Sequence, residues 1–217
     1  MRRISNTMDK TQQTKMTTDG TMLQGNDDKR VALASFTTGN FNKDAGMMKQ
    51  TLWYFVNALI VRASWNPFIG LKIRLLRIFG AKIGKELVIK NNVTVKFPWK
   101  LVVGDNCWIG EGVWIDNLDR VEIGNNVCVS QGAMLLTGNH DYKVSSMPYR
   151  NAPIKLEDGC WIGAKATVCP GVTVHTNAIL TVGSVATHDM EPHGIYQGVP
   201  AMKIRERVIS DDNVPPQ

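Results

Sequence analysis

Large aliphatic residues recur at every sixth position from residue 83 to residue 180 of the 217-residue chain. The residue four places after such an aliphatic is small or β-branched in most hexads, as at Cys107, Val113, Val127, Ala133, Cys160, Ala166, Val172, Ala178 and Ser184. The aliphatic positions of the first phase are Ile83, Ile89, Val95 and Leu101. The phase of the repeat then shifts by two residues to Val103, Ile109, Ile115 and Val121, and again by two to Ile123, Val129 and Leu135. After an interruption of the repeat, the aliphatic positions are Leu156, Ile162, Val168, Val174 and Leu180. Neither the helical period nor the strand period produces this spacing.

A six-residue repeat of this kind predicts a triangular solenoid, an all-β fold in which each hexad forms one short strand and one corner. The aliphatic side chains would fill the centre of the prism, and the small residues would allow the corners to close. A two-sheet sandwich would instead show alternation along each strand and turn clusters at longer intervals. Three hexads would complete a coil, and the corners would use residues that tolerate positive φ, such as Asn106, Asn125, Asn126 and Asn177.

The ends of the chain lack this repeat. The first 46 residues are rich in Thr, Asn, Gln, Asp and Lys, which is typical of a disordered or loosely attached segment. Helical patterns over Met47–Arg62 and Pro67–Phe79 predict a cap for the solenoid, and their aromatic and basic residues leave open a peripheral membrane contact. The predicted organisation is a disordered N-terminal tail (1–46), a helical cap (47–80), a β-helix domain (81–207) with a loop excursion (138–153), and a flexible tail (208–217).

Charge and cysteine content narrow the functional classes. The formal net charge is +6, but the basic residues are dispersed and form no nucleic-acid motif, so a nucleic-acid partner is not expected. The four cysteines form no CxxC pair, so neither a metal site nor a redox site is expected. Cys107 and Cys160 occupy inward repeat positions, which favours buried thiols in a reducing, cytoplasmic environment; a position at the inner face of a membrane stays open.

Several motifs resemble the hexapeptide-repeat acyltransferases, in particular the colanic-acid-biosynthesis and galactoside/maltose O-acetyltransferases. They are VEIGNNVCVSQGAMLLTGNHD (Val121–Asp141), CWIG (Cys160–Gly163), PGV (Pro170–Val172) and GVPAMKIR (Gly198–Arg205). The resemblance covers residues 79–207. It implies a left-handed parallel β-helix, a homotrimer and acetyl-CoA as co-substrate.

His140 begins the segment that interrupts the repeat, where insertions in solenoids tend to carry function. Transfer of an acyl group to an alcohol needs a base, and histidine suits this role near neutral pH. The resemblance places the catalytic base at His140. A structural loop histidine is the alternative. Asp141 is adjacent and is expected to fix the loop or contact the acceptor.

The resemblance implies acceptor contacts about one coil earlier, where Asp116 and Asn117 interrupt a hexad. A simple turn is the alternative for these two positions. Contacts to acetyl-CoA are implied along the C-terminal coils by six residues, of which Trp161 would form a groove wall. They are Trp161, Ala164, Val182, Thr187, Lys203 and Arg205. His188 stands where the family usually has a basic residue, which weakens the phosphate contact expected there.

The function predicted from these features is acetyl-CoA-dependent O-acetylation of a saccharide hydroxyl, in the biosynthesis of a surface polysaccharide. Within the same class, an amino-sugar N-acetyltransferase or a serine acetyltransferase remains open, because the motifs do not separate acceptors. Two other classes are a zinc-dependent carbonic-anhydrase-like lyase, using His175, His188 and His193, and a non-catalytic β-helix. Stoichiometric zinc would favour the first, and absence of saturable CoA binding would favour the second.

Overall fold

The computed structural model describes residues 30–210, and in it the hexads form a parallel β-helix with three flat faces. The prediction of a left-handed parallel β-helix with a helical cap is confirmed. The strands are β1 (Lys82–Ile83), β2 (Val88–Ile89), β3 (Thr94–Val95), β4 (Leu101–Val103), β5 (Trp108–Ile109), β6 (Trp114–Asp116), β7 (Val121–Ile123), β8 (Cys128–Val129), β9 (Met134–Leu136), β10 (Ile154–Leu156), β11 (Trp161–Ile162), β12 (Thr167–Val168), β13 (Thr173–Val174), β14 (Ile179–Leu180), β15 (Val185–Ala186), β16 (Gly194–Gly198) and β17 (Ala201–Glu206).

Each face is one sheet, which takes every third strand as far as β15. The first face has the order β1-β4-β7-β10-β13, the second β2-β5-β8-β11-β14-β16-β17, and the third β3-β6-β9-β12-β15. All neighbouring strands are parallel except β16 and β17, which form an antiparallel hairpin at the C-terminal end of the second face. Backbone groups of each coil are therefore paired with the next coil along the prism axis.

The predicted inward positions form the core. All nine small or β-branched residues named above are buried, and so are all sixteen aliphatic positions except Ile83, which is half-buried. Gly104 shows why glycine often follows the aliphatic residue: an added Cβ would lie 2.7 Å from the carbonyl carbon of Gly124 in the next coil. Asn106, Asn126 and Asn177 adopt positive φ as predicted, but Asn125 does not. Its side chain instead accepts a hydrogen bond from the backbone N–H of Asp105.

Coil length varies along the solenoid, which explains the phase shifts in the repeat. A coil of three hexads, as expected, occurs where Thr167 pairs with Val185. In the N-terminal half a coil is longer by two positions, since Trp114 pairs with Met134. The coil that contains the interruption is the longest, since Met134 pairs with Thr167. All the additional residues enter between the third face and the first face, so one corner of the prism carries every insertion.

Two helices cover the first coil. Helix α1 (Met47–Val56) continues into a π-helical turn (Asn57–Val61), and α2 is Ile69–Ile78. The first coil has no preceding coil to pair with, and the helices supply hydrogen-bond donors to its carbonyl groups. Trp53 Nε1 donates to the carbonyl of Val95 (2.9 Å), and Arg77 Nη2 donates to the carbonyls of Ile83 (3.0 Å) and Gly84 (2.7 Å). Trp53 also packs in the core with its ring 5.1 Å from that of Phe79.

Residues 30–46 belong to the predicted N-terminal tail, and the structure shows specific contacts for them. They contain a short 3-10 helix (Leu33–Ser35) and then run along the corner that carries the insertions. Trp99 Nε1 donates a hydrogen bond to the carbonyl of Lys43 (2.6 Å), and Lys100 forms an ion pair with Asp44 (3.0 Å). This part of the tail is thus held against the solenoid. The remainder of the predicted tails, residues 1–29 and 211–217, lies outside the described residues.

Candidate active site

The insertion corner is the edge of the prism between the third face and the first face. It consists of five segments stacked along the axis: 96–100, 117–120, 137–153, 169–172 and 187–189. The first includes a 3-10 helix (Pro98–Lys100). Because these segments lie above one another, polar residues that are far apart in sequence meet at this edge. The backbone N–H of Asp119, for example, donates to Thr137 Oγ1 (2.9 Å).

The longest of these segments, residues 137–153, folds as a hairpin. The backbone N–H of Ala152 donates to Thr137 O (3.1 Å), that of Arg150 to Asn139 O (2.8 Å), and that of Asp141 to Pro148 O (2.8 Å). The side chain of Thr137 is completely buried and donates from Oγ1 to the carbonyl of Asp116 (2.9 Å). The base of the hairpin is therefore anchored in the preceding coil, which gives the loop a defined direction.

His140 lies on one arm of the hairpin, opposite Tyr149. It is half-buried, and its Nδ1 is 2.6 Å from the carbonyl oxygen of Met147. A carbonyl oxygen can only accept a hydrogen bond, so Nδ1 carries the hydrogen and Nε2 of the neutral ring holds the lone pair. Met147 has a φ of 46°, an uncommon conformation for a residue with a side chain. The hairpin thus holds the imidazole in the tautomer that a base acting through Nε2 requires.

Two aromatic rings contact His140, and the N-terminal segment supplies one of them, together with a further ring that packs behind Tyr149. Tyr149 lies 5.0 Å from the imidazole centroid, and Phe36 lies 5.9 Å from it. Phe36 and Phe41 each contact Tyr149 edge-on, at 5.5 and 5.0 Å. The backbone N–H of Ala32 also donates to the carbonyl of Ser145 at the hairpin tip (2.8 Å). The sequence pattern missed these residues, although Phe36 and Phe41 are the only aromatic residues among the first 46.

Asp116 and Asn117 are adjacent in sequence but differ in what they can bind. Asp116 forms an ion pair with Lys96 (2.8 Å). The amide of Asn117 is fully buried and bridges the backbone of Phe97, accepting from its N–H (2.9 Å) and donating to its carbonyl (2.6 Å). The carboxylate of Asp116 is thus held by one lysine, whereas both polar ends of the Asn117 amide are engaged in a link between two coils. The acceptor contacts expected of these two residues stay predictions.

Asp141, the third residue expected to contact the acceptor, shapes the turn of the hairpin. Its Oδ1 accepts a hydrogen bond from the backbone N–H of Lys143 (3.1 Å), and its carbonyl accepts one from Val144 (3.2 Å). Both contacts organise the turn that leads to Met147. This is the loop-fixing role considered from the sequence.

An open groove of about 840 Å³ lies between the helical cap and the insertion corner; we call it the cap groove. Its lining combines aromatic side chains with polar and charged ones, and it includes Asp116 and Tyr149, the neighbour of His140. Asn57, at the start of the π-helical turn, contributes an amide Oδ1 that is buried without a hydrogen-bond partner among the described residues. The other lining residues include Phe41, Tyr54, Arg62, Lys96 and Trp114. Aromatic surface beside polar groups is the usual composition of a small-molecule site.

Two of the residues expected to bind the cofactor lie on a different edge of the prism, between the second and third faces; we call it the groove corner. Ala164 and Val182 occupy equivalent places in consecutive coils there, since the backbone N–H of Gly183 donates to Ala164 O (2.9 Å). Val182 is exposed, as is Trp161 on the adjoining second face, where its Nε1 donates to Ser130 Oγ (2.9 Å). These residues form a continuous exposed strip along the C-terminal coils.

The remaining expected cofactor contacts lie elsewhere. Thr187 is exposed at the insertion corner and bonds His188 (3.0 Å). Lys203 and Arg205 are exposed on β17. Lys203 forms ion pairs with Glu191 and Glu206, each at 2.6 Å, and the hydrogen bond that it donates to Glu191 raises the pKa of Lys203. Within one chain, then, His140 and the strip at Ala164 and Val182 occupy separate edges of the prism.

Away from the insertion corner, burial and hydrogen bonds account for the pKa shifts of the ionisable groups. Burial raises the pKa of Cys160 to about 12, and burial also raises the pKa of Cys107, as suits inward thiols. Burial acts to raise the pKa of Glu157, but hydrogen bonds from Lys155, His175 and Thr176 outweigh it and lower the pKa to about 2. Among residues 30–210, no three His, Cys, Asp or Glu side chains lie close enough together to hold a metal ion.

Comparisons with known proteins place this geometry in a family. A family model described as the hexapeptide repeat of succinyl-transferase matches residues 153–187. The chain is 34% identical over 178 residues to an Escherichia coli (strain K12) protein provisionally named colanic acid biosynthesis acetyltransferase WcaF, covering 81% of this chain and 97% of that protein. It is 28% identical over 136 residues to galactoside O-acetyltransferase of the same organism, covering 61% of this chain and 66% of the relative.

Solved structures share the fold. A hexapeptide-repeat-containing acetyltransferase of Vibrio cholerae O1 biovar eltor, complexed with acetyl coenzyme A, superposes with a TM-score of 0.70 at 19% identity, covering 81% of this chain and 97% of that one. A galactoside acetyltransferase in complex with coenzyme A superposes with a TM-score of 0.67 at 20% identity, covering 78% and 89%. At these identities the likeness is one of fold.

Proposed function

Because this chain belongs to the hexapeptide-repeat acetyltransferases, we propose that it transfers an acetyl group from acetyl-CoA to a saccharide hydroxyl with His140 as the general base. The observation that carries the proposal is the hydrogen bond from His140 Nδ1 to the carbonyl of Met147. It leaves Nε2 as the proton acceptor, which is what activation of a hydroxyl nucleophile needs.

The proposed reaction is a direct transfer. His140 Nε2 accepts the proton of the acceptor hydroxyl while the hydroxyl oxygen attacks the thioester carbonyl of acetyl-CoA. The C–S bond then breaks, and the imidazolium returns its proton to the CoA thiolate. The proton is conserved over the cycle, and no acyl-enzyme forms. Tyr149 and Phe36 restrict the rotation of the imidazole and shield it from water on the sides they cover.

The acceptor is proposed to bind in the cap groove. Saccharides present both hydroxyl groups and apolar ring faces, and the groove offers aromatic rings at Tyr54 and Trp114 beside hydrogen-bonding groups at Asp116 and Asn57. The ion pair with Lys96 fixes the direction of the Asp116 carboxylate. The names of the relatives support a sugar of a surface polysaccharide or its precursor as the acceptor.

Acetyl-CoA is proposed to lie along the groove corner, over the exposed strip formed by Ala164, Val182 and Trp161. Thr187, Lys203 and Arg205 would contribute at the ends of the binding site, although the ion pairs of Lys203 would have to open for a phosphate contact. Since His140 lies on a different edge of the same prism, the acetyl group would reach it from a neighbouring copy. This separation of the two edges supports a homotrimer with active sites between subunits.

The test is CoA release from acetyl-CoA in the presence of neutral saccharides, amino sugars and serine, with product masses distinguishing O- from N-acetylation. We expect His140→Ala to lower the rate by roughly a hundred-fold or more while CoA binding and oligomeric state are unchanged. His193→Asn is the matched control, because Asn tolerates the positive φ of His193, which lies outside the proposed site. It should retain wild-type activity.

Two outcomes would contradict the proposal. Equal activity of wild type and His140→Ala would remove His140 as the base, whatever the acceptor. Absence of saturable CoA binding by the wild-type protein would remove the acetyltransferase activity itself. Acetylation of serine or of an amino group in preference to every saccharide would leave the base in place and replace the acceptor.

A further inference from the structure

The helical cap carries an apolar surface that the solenoid does not cover. On α1, Met48, Leu52 and Phe55 follow one another at helical spacing, and Leu59 continues the row in the π-helical turn. All four face solvent; Phe55 is 54% and Leu59 63% exposed. This row lies opposite Trp53, which is the side of α1 that packs in the core. We call the row the outer stripe of α1.

The second helix repeats this arrangement. Leu71 and Ile78 are exposed at helical spacing on α2, and Phe68 is exposed just before the helix begins, whereas Leu76 is buried. Trp65, in the connection between the two helices, is 67% exposed. To cap the solenoid, each helix needs one apolar side that packs on the first coil. Both helices carry a second apolar side, which is exposed. Rows of exposed apolar side chains on both helices indicate an interaction surface.

Charge identifies the partner. Between Asp44 and Glu86 the chain has no acidic residue, but it has seven basic ones, which are Lys49, Arg62, Lys72, Arg74, Arg77, Lys82 and Lys85. Lys72 is buried, where its Nζ donates to the carbonyl of Lys90 (3.4 Å). The other six are exposed or half-buried. Cations beside exposed Trp, Phe and Leu residues, without anions, form the composition of a helix that lies in the interface of an anionic membrane.

We propose that α1, the π-helical turn and α2 bind the surface of an anionic lipid bilayer, with the apolar residues entering the headgroup region. A contact between two copies of this face is disfavoured, because it would bring the two sets of cations together, and Glu86, which lies beside Arg74 and Arg77, offsets only part of their charge. Within residues 30–210, no helix is long and apolar enough to cross a bilayer. The helices would lie parallel to the membrane plane, with the cap groove beside it.

The test is flotation of the full-length protein with vesicles of phosphatidylcholine alone or with about 30% phosphatidylglycerol. We expect binding to the anionic vesicles, weakened by about 0.5 M NaCl. Leu52→Glu/Phe55→Glu/Leu59→Glu should reduce the partition coefficient by roughly a hundred-fold. Val208→Glu/Ile209→Glu is the matched control, since these exposed residues lie at the far end of the chain.

Two further measurements separate the forces involved. Arg74→Gln/Lys85→Gln leaves the apolar residues in place and should reduce binding by roughly ten-fold or more at low salt. Thermal unfolding and sedimentation without vesicles verify that the variants remain folded and in the wild-type oligomeric state. The proposal is overturned if the wild-type protein floats with neither vesicle or if the triple variant floats as the wild type does. If the wild type does not float and the triple variant differs from it in oligomeric state, the apolar face serves contacts between copies of this chain instead.

Discussion

The amide of Asn117 gives a prediction that separates the structural role of this residue from the acceptor contact expected from sequence. The change is Asn117→Ala, which removes both hydrogen bonds to the backbone of Phe97. Asn117 is fully buried and Phe97 is nearly so. The truncation therefore leaves the N–H of Phe97 without a partner inside the protein, whereas its carbonyl loses one hydrogen bond and keeps the one from the backbone N–H of Lys100 (2.9 Å).

The magnitude follows from these two losses. The unsatisfied N–H costs about 1 to 3 kcal/mol and the hydrogen bond lost at the carbonyl about 0.5 to 1.5 kcal/mol, so the free energy of unfolding should fall by about 3 kcal/mol. For a protein of this length, a loss of ~1 kcal/mol corresponds to about 2–4 °C in Tm, which predicts a decrease of about 6–12 °C. The loss should appear with or without a saccharide, because the amide faces the next coil.

The assay pairs thermal unfolding with steady-state kinetics at a temperature where the variant is folded. We expect a lower Tm and a nearly unchanged KM for the acceptor. Asn40→Ala is the matched control, because Asn40 is exposed and its side chain forms no hydrogen bond within the described part of the chain; its Tm should stay within about 1 °C of wild type. A Tm for Asn117→Ala within the same margin, together with a large increase in KM, would show that the amide serves the acceptor and would refute the reasoning.

Three further predictions concern other parts of the fold. Phe36→Ala should lower kcat by several-fold without changing CoA affinity, because it removes a ring that confines His140; unchanged kcat would show that the N-terminal segment does not position the imidazole. The pKa of Glu157, about 2, lies below its ordinary value of 4.5, so its carboxylate stabilises the fold above that value and loses this effect as pH falls from 4.5 toward 2. Glu157→Gln should therefore flatten the decrease of Tm over this pH range, and an unchanged slope would contradict the assignment. Because burial raises the pKa of Cys160 to about 12, a thiol reagent at a pH of about 8 should modify it only as fast as the protein unfolds, and more slowly than half-buried Cys128; rapid labelling in the native protein would show that the corner opens.

The architecture could be predicted from sequence because its information is local. Each hexad repeats the same requirement, an aliphatic residue for the prism interior and a small one for the corner, so the pattern accumulates over many coils. The inward positions of Cys107 and Cys160 followed from the same count and are confirmed by burial. His140 could be located because the repeat stops beside it. Its proposed role as base rests on the family resemblance and on the hydrogen bond to Met147.

The surroundings of His140 depended on contacts between distant parts of the chain. Phe36 lies on the far side of the helical cap and half the solenoid from His140 in sequence, and a contact at that separation leaves no period in the sequence. The different contacts of Asp116, which pairs with Lys96, and of Asn117, which bonds the backbone of Phe97, likewise depended on how each side chain is directed in the tertiary structure. The tertiary structure also showed that the two additional positions of the N-terminal coils enter at the same corner as the long insertion. Sequence periodicity thus determined the solenoid, because every coil repeats the same short-range packing, whereas only the tertiary structure decided which non-repeating side chains meet at its edge.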